Sequence, residues 1–334
     1  MREVGHRKFG SMPMRDALIG QPVPRLQSVQ TELQAVLAVI TEQLRTLPVT
    51  ADIEALLAFH SQNPGKLMRP GLVLLAGKCC GSLTSEHIQV GAIMEMIHGA
   101  TLLHDDVIDE SNKRRGRMTI NSRWSNASAV LLGDFVLTHV LRMCVNLPAM
   151  VSRIVADTAG CVCRGELLQT LGQDTRATNE AHYLSIIQDK SAAFFAGCCQ
   201  AGAALSEASR VQQDALVEYG LQVGMAFQMA DDLIDVCGYE SLAGKPVGND
   251  VDDHLTLPVI RWLQTLTVQQ RDRVDLQDTT TLLAELEKSG SIDYVRAKCQ
   301  DATQKALNAL EAIEESEAKT TLIELATYAG DRSS

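Results

Sequence analysis

From Pro24 to Tyr328 apolar residues recur at three- and four-residue spacing, the period of helices buried along one face. No stretch shows the β-branched alternation and turn punctuation of a strand. Between Gly71 and Lys245 the only proline is Pro148. The pattern predicts long helices over 85–110, 122–146, 149–171, 177–205 and 209–236. Before them come helices over 24–47, closed by Pro48, and 52–60. Another opens near Pro70, where a proline in the first turn has no donor to lose; Lys66 and Arg69 are thereby held at a helix start. The run GYESLAGKPVGND is broken by Gly and Pro and reads as a loop that returns Lys245 and Asp250 to the mouth of the bundle. Shorter helices follow from Leu255 to near Tyr328. The expected fold is all-α: a loose arm over 1–23, then one helical-bundle domain over 24–330.

Composition narrows the setting. The chain has 334 residues, 46% of them hydrophobic and 21% charged, enough for a sizeable core. A net charge of −11 argues against a nucleic-acid partner, because such binding needs clustered Lys and Arg. An anionic substrate would therefore need metal to reverse the local charge. The nine cysteines include Cys79 with Cys80, Cys198 with Cys199, and Cys161 with Cys163, and none forms a CxxC pair. Buried thiols in a reducing compartment account for them. The N-terminal MREVGHRKFG is basic but no apolar stretch follows, and Ser191 to Ser206 is too short to span a bilayer, so a cytoplasmic protein without a transmembrane segment is expected.

The chemistry concentrates in EMIHGATLLHDDVIDESNKRRG, Glu95 to Gly116. At about 100° per residue, Asp105 and Asp109 lie one turn apart on a helix face, with His98 and Thr101 below them. Such carboxylates repel one another and resist desolvation, and Mg²⁺ is their natural partner, since it takes one or two carboxylates plus water and phosphate oxygens. Asp106 stands beside them, and Arg114 and Arg115 follow at once. The same spacing returns in QMADDLID as Asp231, Asp232 and Asp235, again ending an apolar helical run. Two DDxxD helices suggest two metal-bearing walls facing each other across a pocket. Lys66, Arg69, Arg114, Arg115, Lys190 and Lys245 supply forks and point charges suited to diphosphates.

These residues, with GKLMRP, GDF, GELLQ, DKSAAFF, FQMADDLIDVCG, GKPVGND and LTLPVI in order, resemble the trans-isoprenyl diphosphate synthases, and among them the long-chain polyprenyl diphosphate synthases, over about residues 30 to 330. The resemblance implies an isoprenoid synthase-type bundle around a central substrate cavity, a homodimer, and three Mg²⁺ ions bridging the two motifs and the allylic diphosphate. It implies Asp105, Asp109 and Asp231 as metal ligands, with Asp106, Asp232 and Asp235 supporting. Lys66, Arg69, His98 and Arg115 would hold isopentenyl diphosphate; Arg114, Gln169, Lys190, Gln228 and Lys245 would serve the allylic diphosphate. Any membrane contact is expected to be peripheral, through the product.

The implied reaction is ionisation followed by condensation. Metals and cations stabilise the departing diphosphate, the double bond of isopentenyl diphosphate attacks the allylic cation, and a proton is lost to the released diphosphate. One departure stands out: where the family commonly has DxxxGKLTLP, this chain reads DVDDHLTLP, with His254 in place of the lysine. Ala100 and Thr101 would line the top of the product tunnel, and no aromatic residue lies between Phe59 and Trp124, so a product longer than C20 is expected. A terpene cyclase of the same fold is disfavoured by the full second DDxxD. A non-catalytic subunit of a hetero-oligomeric synthase usually lacks such motifs, and a shorter-chain synthase is the remaining alternative.

Overall fold

A computed structural model describes residues 26–45, 50–61, 65–114, 116–171, 179–237, 255–276 and 278–332. The arm over 1–23, Arg115, Lys245, Asp250 and His254 lie outside the described residues. The helices are α1 Gln30–Arg45, α2 Ala51–His60, α3 Met68–Cys80, α4 Ser85–Ile108, α5 Asn126–Cys144, α6 Ala149–Leu171, α7 Glu180–Ile187, α8 Ala193–Leu205 and α9 Arg210–Val236. After them come α10 Leu257–Thr265, α11 Thr279–Lys288, α12 Ser291–Ala309 and α13 Glu317–Asp331, with single turns of helix at Ile120–Arg123 and Val268–Arg271. The all-α expectation holds.

The core follows from the sequence period. α9 is started by Ser209, whose hydroxyl accepts from the Gln212 amide at 3.3 Å, and it packs along α8 and α12. α8 in turn packs on α3, whose residues Leu72 to Ala76 are fully buried. α4 lies between α3 and α5. The nine cysteines are free thiols; Cys198 and Cys199 are buried, and burial pushes the Cys198 thiol up to about 12.

Three differences from the expected elements matter. First, the stretch expected as a helix over 122–146 is interrupted at Trp124 and Ser125, because the Ser125 hydroxyl accepts the Ser128 N–H at 3.0 Å and caps a new helix. Second, a short antiparallel hairpin pairs β1 Lys113–Arg114 with β2 Arg117–Met118, correcting the expectation of no strand. Two residues a side are too few for alternation to register in the sequence, and Gly116 at φ 74° allows the turn. Third, the helix expected over 177–205 is described from Glu180, and between α7 and α8 it widens into a π segment, Gln188–Ala192.

α5 is two-faced. Ala129, Leu132, Val136, Val140 and Met143 are buried on its inner side, while Leu131 and Leu141 are 66% and 68% exposed on the other. Among the described residues it is the one helix long and apolar enough, by length and composition, to cross a membrane.

Candidate active site

The π segment organises the site, because consecutive residues on it reach two different helices, α6 and α9. The Arg164 fork on α6 donates to both Asp189 oxygens, at 2.6 and 2.7 Å. Lys190 Nζ meets Glu166 Oε2 at 2.6 Å and Gln169 Oε1 at 3.1 Å, also on α6. Ser191 donates to Gln228 Oε1 on α9 at 2.7 Å. Glycines allow this approach from both sides. A Cβ on Gly165 would lie 2.4 Å from the Lys190 nitrogen, and one on Gly224 would lie 2.5 Å from the Ala192 Cα. Widened turns of this kind recur at functional sites, where the extra residue re-aims side chains.

The first acidic motif closes α4. The Asp109 N–H bonds to the Asp105 carbonyl at 2.8 Å, and Glu110, in the left-handed region at φ 48°, turns the chain away. Asp109 is exposed and Asp105 half-buried. Burial is the largest influence on Asp105; Lys190 pulls against it, but Glu166 and Asp109 add to it, and the carboxyl is pushed up to about 7. Asp106 turns the other way and is buried. Arg114 Nε, on the hairpin, donates to its Oδ1 at 2.7 Å, and the Asn121 amide donates to its carbonyl at 3.0 Å. Burial would lower the Lys190 ammonium, but Glu166 and Asp105 outweigh it and its pKa is raised, so Lys190 stands charged beside this motif.

The second motif ends α9 with different supports. Asp232 accepts from the buried Tyr183 hydroxyl at 2.5 Å and from Gln228 Nε2 at 2.9 Å. Asp231 pairs with Arg332, 2.5 Å away, from the end of α13. Asp235 is buried. In each motif the second carboxylate is thus held by hydrogen-bond donors from the protein; the first is half-buried in both, and in the second motif it is paired with Arg332.

Of the remaining predicted residues, Lys66 and Arg69 stand at the start of α3, and His98, Ala100 and Thr101 lie on α4. Lys66 is flanked by Gly65 at φ 74° and Leu67 at φ 53°, a conformation that costs a leucine about 1–2 kcal/mol. Its Nζ lies 3.4 Å from the Tyr328 hydroxyl. The Arg69 guanidinium lies 4.7 Å from the Phe194 ring centre and 5.4 Å from that of Phe195, and His98 meets Phe194 edge-on at 6.4 Å. Phe194 therefore joins Arg69 to His98. Ala100 is fully buried; Thr101 is half-buried and donates to the His98 carbonyl at 2.9 Å.

The donor set fits a divalent cation. Among the described residues no three His, Cys, Asp or Glu side chains form a closed metal cage. Mg²⁺ does not require one, because it retains waters and takes substrate oxygens beside one or two carboxylates. A carboxylate pushed up by burial and like charge, as Asp105 is, gains from such a cation. Four supporting residues escaped the sequence reading. Glu166 sits inside the GELLQ run; Asn121 lies fifteen positions beyond Asp106, in none of the motifs; Tyr183 and Arg332 carried no signal, since their partners are distant in sequence, 49 positions for Tyr183.

Residues 51–294 match the family model described as polyprenyl synthetase. The chain is 35% identical over 281 residues to an octaprenyl diphosphate synthase of Haemophilus influenzae, covering 81% of this chain and 85% of that one. It is 37% identical over 278 residues to an all-trans-nonaprenyl-diphosphate synthase (geranyl-diphosphate specific) of Rhodobacter capsulatus, covering 80% and 85%. A crystal structure of a polyprenyl synthase from Caulobacter crescentus, complexed with calcium and isoprenyl diphosphate, superposes with a TM-score of 0.85 at 30% identity, over 98% of this chain and 100% of that one. With its helical bundle, its paired acidic motifs and this extent of matching, the chain belongs to the polyprenyl synthetase family and is a prenyltransferase.

Proposed function

We propose that the protein is a Mg²⁺-dependent trans-polyprenyl diphosphate synthase that adds isopentenyl diphosphate to an allylic diphosphate and releases a product longer than C20. The observation that carries this reading is the π segment, which sets Lys190 beside the first acidic motif and Ser191 against the second. Asp105, Asp109 and Asp231 hold the metals, three ions with diphosphate bound. Asp106 and Asp232 orient these walls through Arg114, Tyr183 and Gln228. Bound Mg²⁺ supplies Lewis-acid stabilisation of the departing diphosphate.

The chain's own residues do the rest. Lys190, kept charged by Glu166, offers an ammonium to the allylic diphosphate as negative charge develops on it. Gln169, Gln228, Arg114 and Lys245 complete that subsite. Lys66, Arg69, His98 and Arg115 hold isopentenyl diphosphate, with Arg69 and His98 steadied on Phe194. The proton lost after condensation passes to the released diphosphate, so no protein base is required. Thr101 bounds the top of the product tunnel. The exposed apolar face of α5 suits a second copy, in a homodimer.

The test is an assay of purified protein with Mg²⁺, labelled isopentenyl diphosphate and farnesyl or geranylgeranyl diphosphate, with products resolved by length. Products in the octaprenyl to nonaprenyl range named for the relatives are expected. A product of C20 or less overturns the long-chain reading, and no product overturns the synthase reading. Thr101→Phe should shorten the main product while the first condensation survives. Ala100→Phe is the poorer probe, because at a fully buried position it also overpacks the core, which costs about 1–3 kcal/mol.

A further inference from the structure

Arg332 is the first residue past α13, and its amide bonds to the Tyr328 carbonyl at 3.2 Å. Its side chain is only 14% exposed, although it ends in a permanent charge. The guanidinium lies 4.3 Å from the Phe227 ring centre and 5.8 Å from that of Tyr328. Nη2 meets Asp231 Oδ1 at 2.5 Å, while Nη1 is buried with no hydrogen-bond partner among the described residues. One half of the arginine fork is therefore spent on the first carboxylate of the second motif, and among the described residues Nη1 on the other half bonds to nothing.

We infer that Arg332 makes metal binding at the second motif conditional on diphosphate, by holding Asp231 with its own positive charge until an anion arrives to take that charge over. The inference rests on the reading of Asp231 as a metal ligand. A divalent cation approaching alone has two routes. It binds beside the guanidinium, against like-charge repulsion at short range. Or it displaces the arginine, leaving a largely buried charge without a partner. A cation that arrives with a diphosphate meets neither obstacle, because diphosphate oxygens accept from both edges of the fork, Nη1 included. Metal and diphosphate thus favour each other through Arg332, and each raises the affinity for the other by the same factor. The consequence is a second wall that stays closed to free Mg²⁺ and charges only with the anion it serves.

The test is calorimetric titration of the full-length protein with Mg²⁺, alone and in the presence of inorganic diphosphate, corrected for magnesium diphosphate formed in solution. In the wild type, diphosphate should tighten Mg²⁺ binding by about tenfold or more, within the usual range of coupling between sites. Arg332→Met should bind Mg²⁺ alone several-fold more tightly and lose most of that coupling. Arg332→Lys keeps the charge and should retain coupling within about twofold of wild type, with circular dichroism checking that both variants fold. In an Asp231→Asn background, Arg332→Met should change nothing further. If Arg332→Met leaves the coupling intact, or weakens the binding of Mg²⁺ alone, the inference is overturned while the metal assignment stands. If Asp231→Asn binds Mg²⁺ and diphosphate as the wild type does, the metal assignment itself fails.

Discussion

The two acidic motifs have the same spacing and sit at the ends of two long helices, yet they are supported in different ways. The first is held by its own neighbourhood in the chain. Arg114, eight positions on, pairs with Asp106, and Asn121, fifteen positions on, reaches the Asp106 carbonyl. The second has one local donor, Gln228, four positions before Asp232 on α9, and is otherwise held from afar: Tyr183 crosses 49 positions to reach Asp232, and Arg332 comes from the end of α13 to reach Asp231. The first wall is therefore a local device of helix end plus hairpin. The second exists only once α7, α9 and α13 have packed together. Identical sequence motifs need not be identical sites; what completes them decides how each responds to metal, pH and mutation.

The largest expected effect treats the walls as equals. Asp105→Ala and Asp231→Ala should each lower turnover by about a hundredfold or more with Mg²⁺, since on the proposed function each removes a group that would hold the cations stabilising the leaving diphosphate. Steady-state kinetics on both variants checks this. A mild loss for Asp231→Ala alone would make the first wall sufficient, and the comparison would then separate a catalytic wall from a structural one.

The supports should part company next. Tyr183→Phe removes a buried donor to a carboxylate, so it should destabilise the fold by about 1.5–3 kcal/mol. Arg114→Met leaves the buried Asp106 carboxylate without its side-chain donor, but the arginine is 37% exposed and water can reach the vacated place, so its loss should be the smaller, about 1–1.5 kcal/mol. Denaturant unfolding of the two variants measures the difference. If Arg114→Met proves the costlier, the hairpin carries more of the fold than its exposure suggests.

The smallest expected effect is on pH, and it belongs to the first wall. The Asp105 carboxyl sits at about 7 in the folded protein against an ordinary 3.8. Between these values the folded state binds a proton that the unfolded state does not. Stability of the metal-free protein should therefore fall as pH rises from about 4 to about 7 and then level off. Asp105→Asn should remove that part of the slope and, at pH 8 without metal, raise the melting temperature by about 2–4 °C. Mg²⁺ binding near pH 7 should release a proton and tighten as pH rises. Thermal melts across pH with and without Asp105→Asn check the first point, and buffer-dependent binding heats check the second. An unchanged slope in the variant would mean that the wall's burial costs are carried by other groups.

How much of this was legible in the chain depended on distance along it. The helical period, the carboxylate spacing and the basic residues after the first motif are local properties, so the all-α fold, Asp105 beside Asp109 and the proximity of Arg114 could be read directly. The break at Ser125 and the hairpin were missed because both are short, a capping serine and two residues a side. The π segment was hidden for another reason. Its residues continue an apolar helical run, and the widening arises where Gly165 and Gly224 let α6 and α9 press on it from opposite sides.

By itself, the sequence determined that there would be two carboxylate-tipped helices with cations near them, because helix periodicity and charge spacing are carried in neighbouring residues. Only the tertiary structure decided how the second carboxylate of each pair is held. The holding is done by hydrogen-bond donors, Arg114 for Asp106, Tyr183 and Gln228 for Asp232, which must be satisfied where side chains leave water. The tertiary structure also decided that Glu166 meets Lys190 and that Arg332 pairs with Asp231, since a long-range ion pair exists only when packing brings its two ends together.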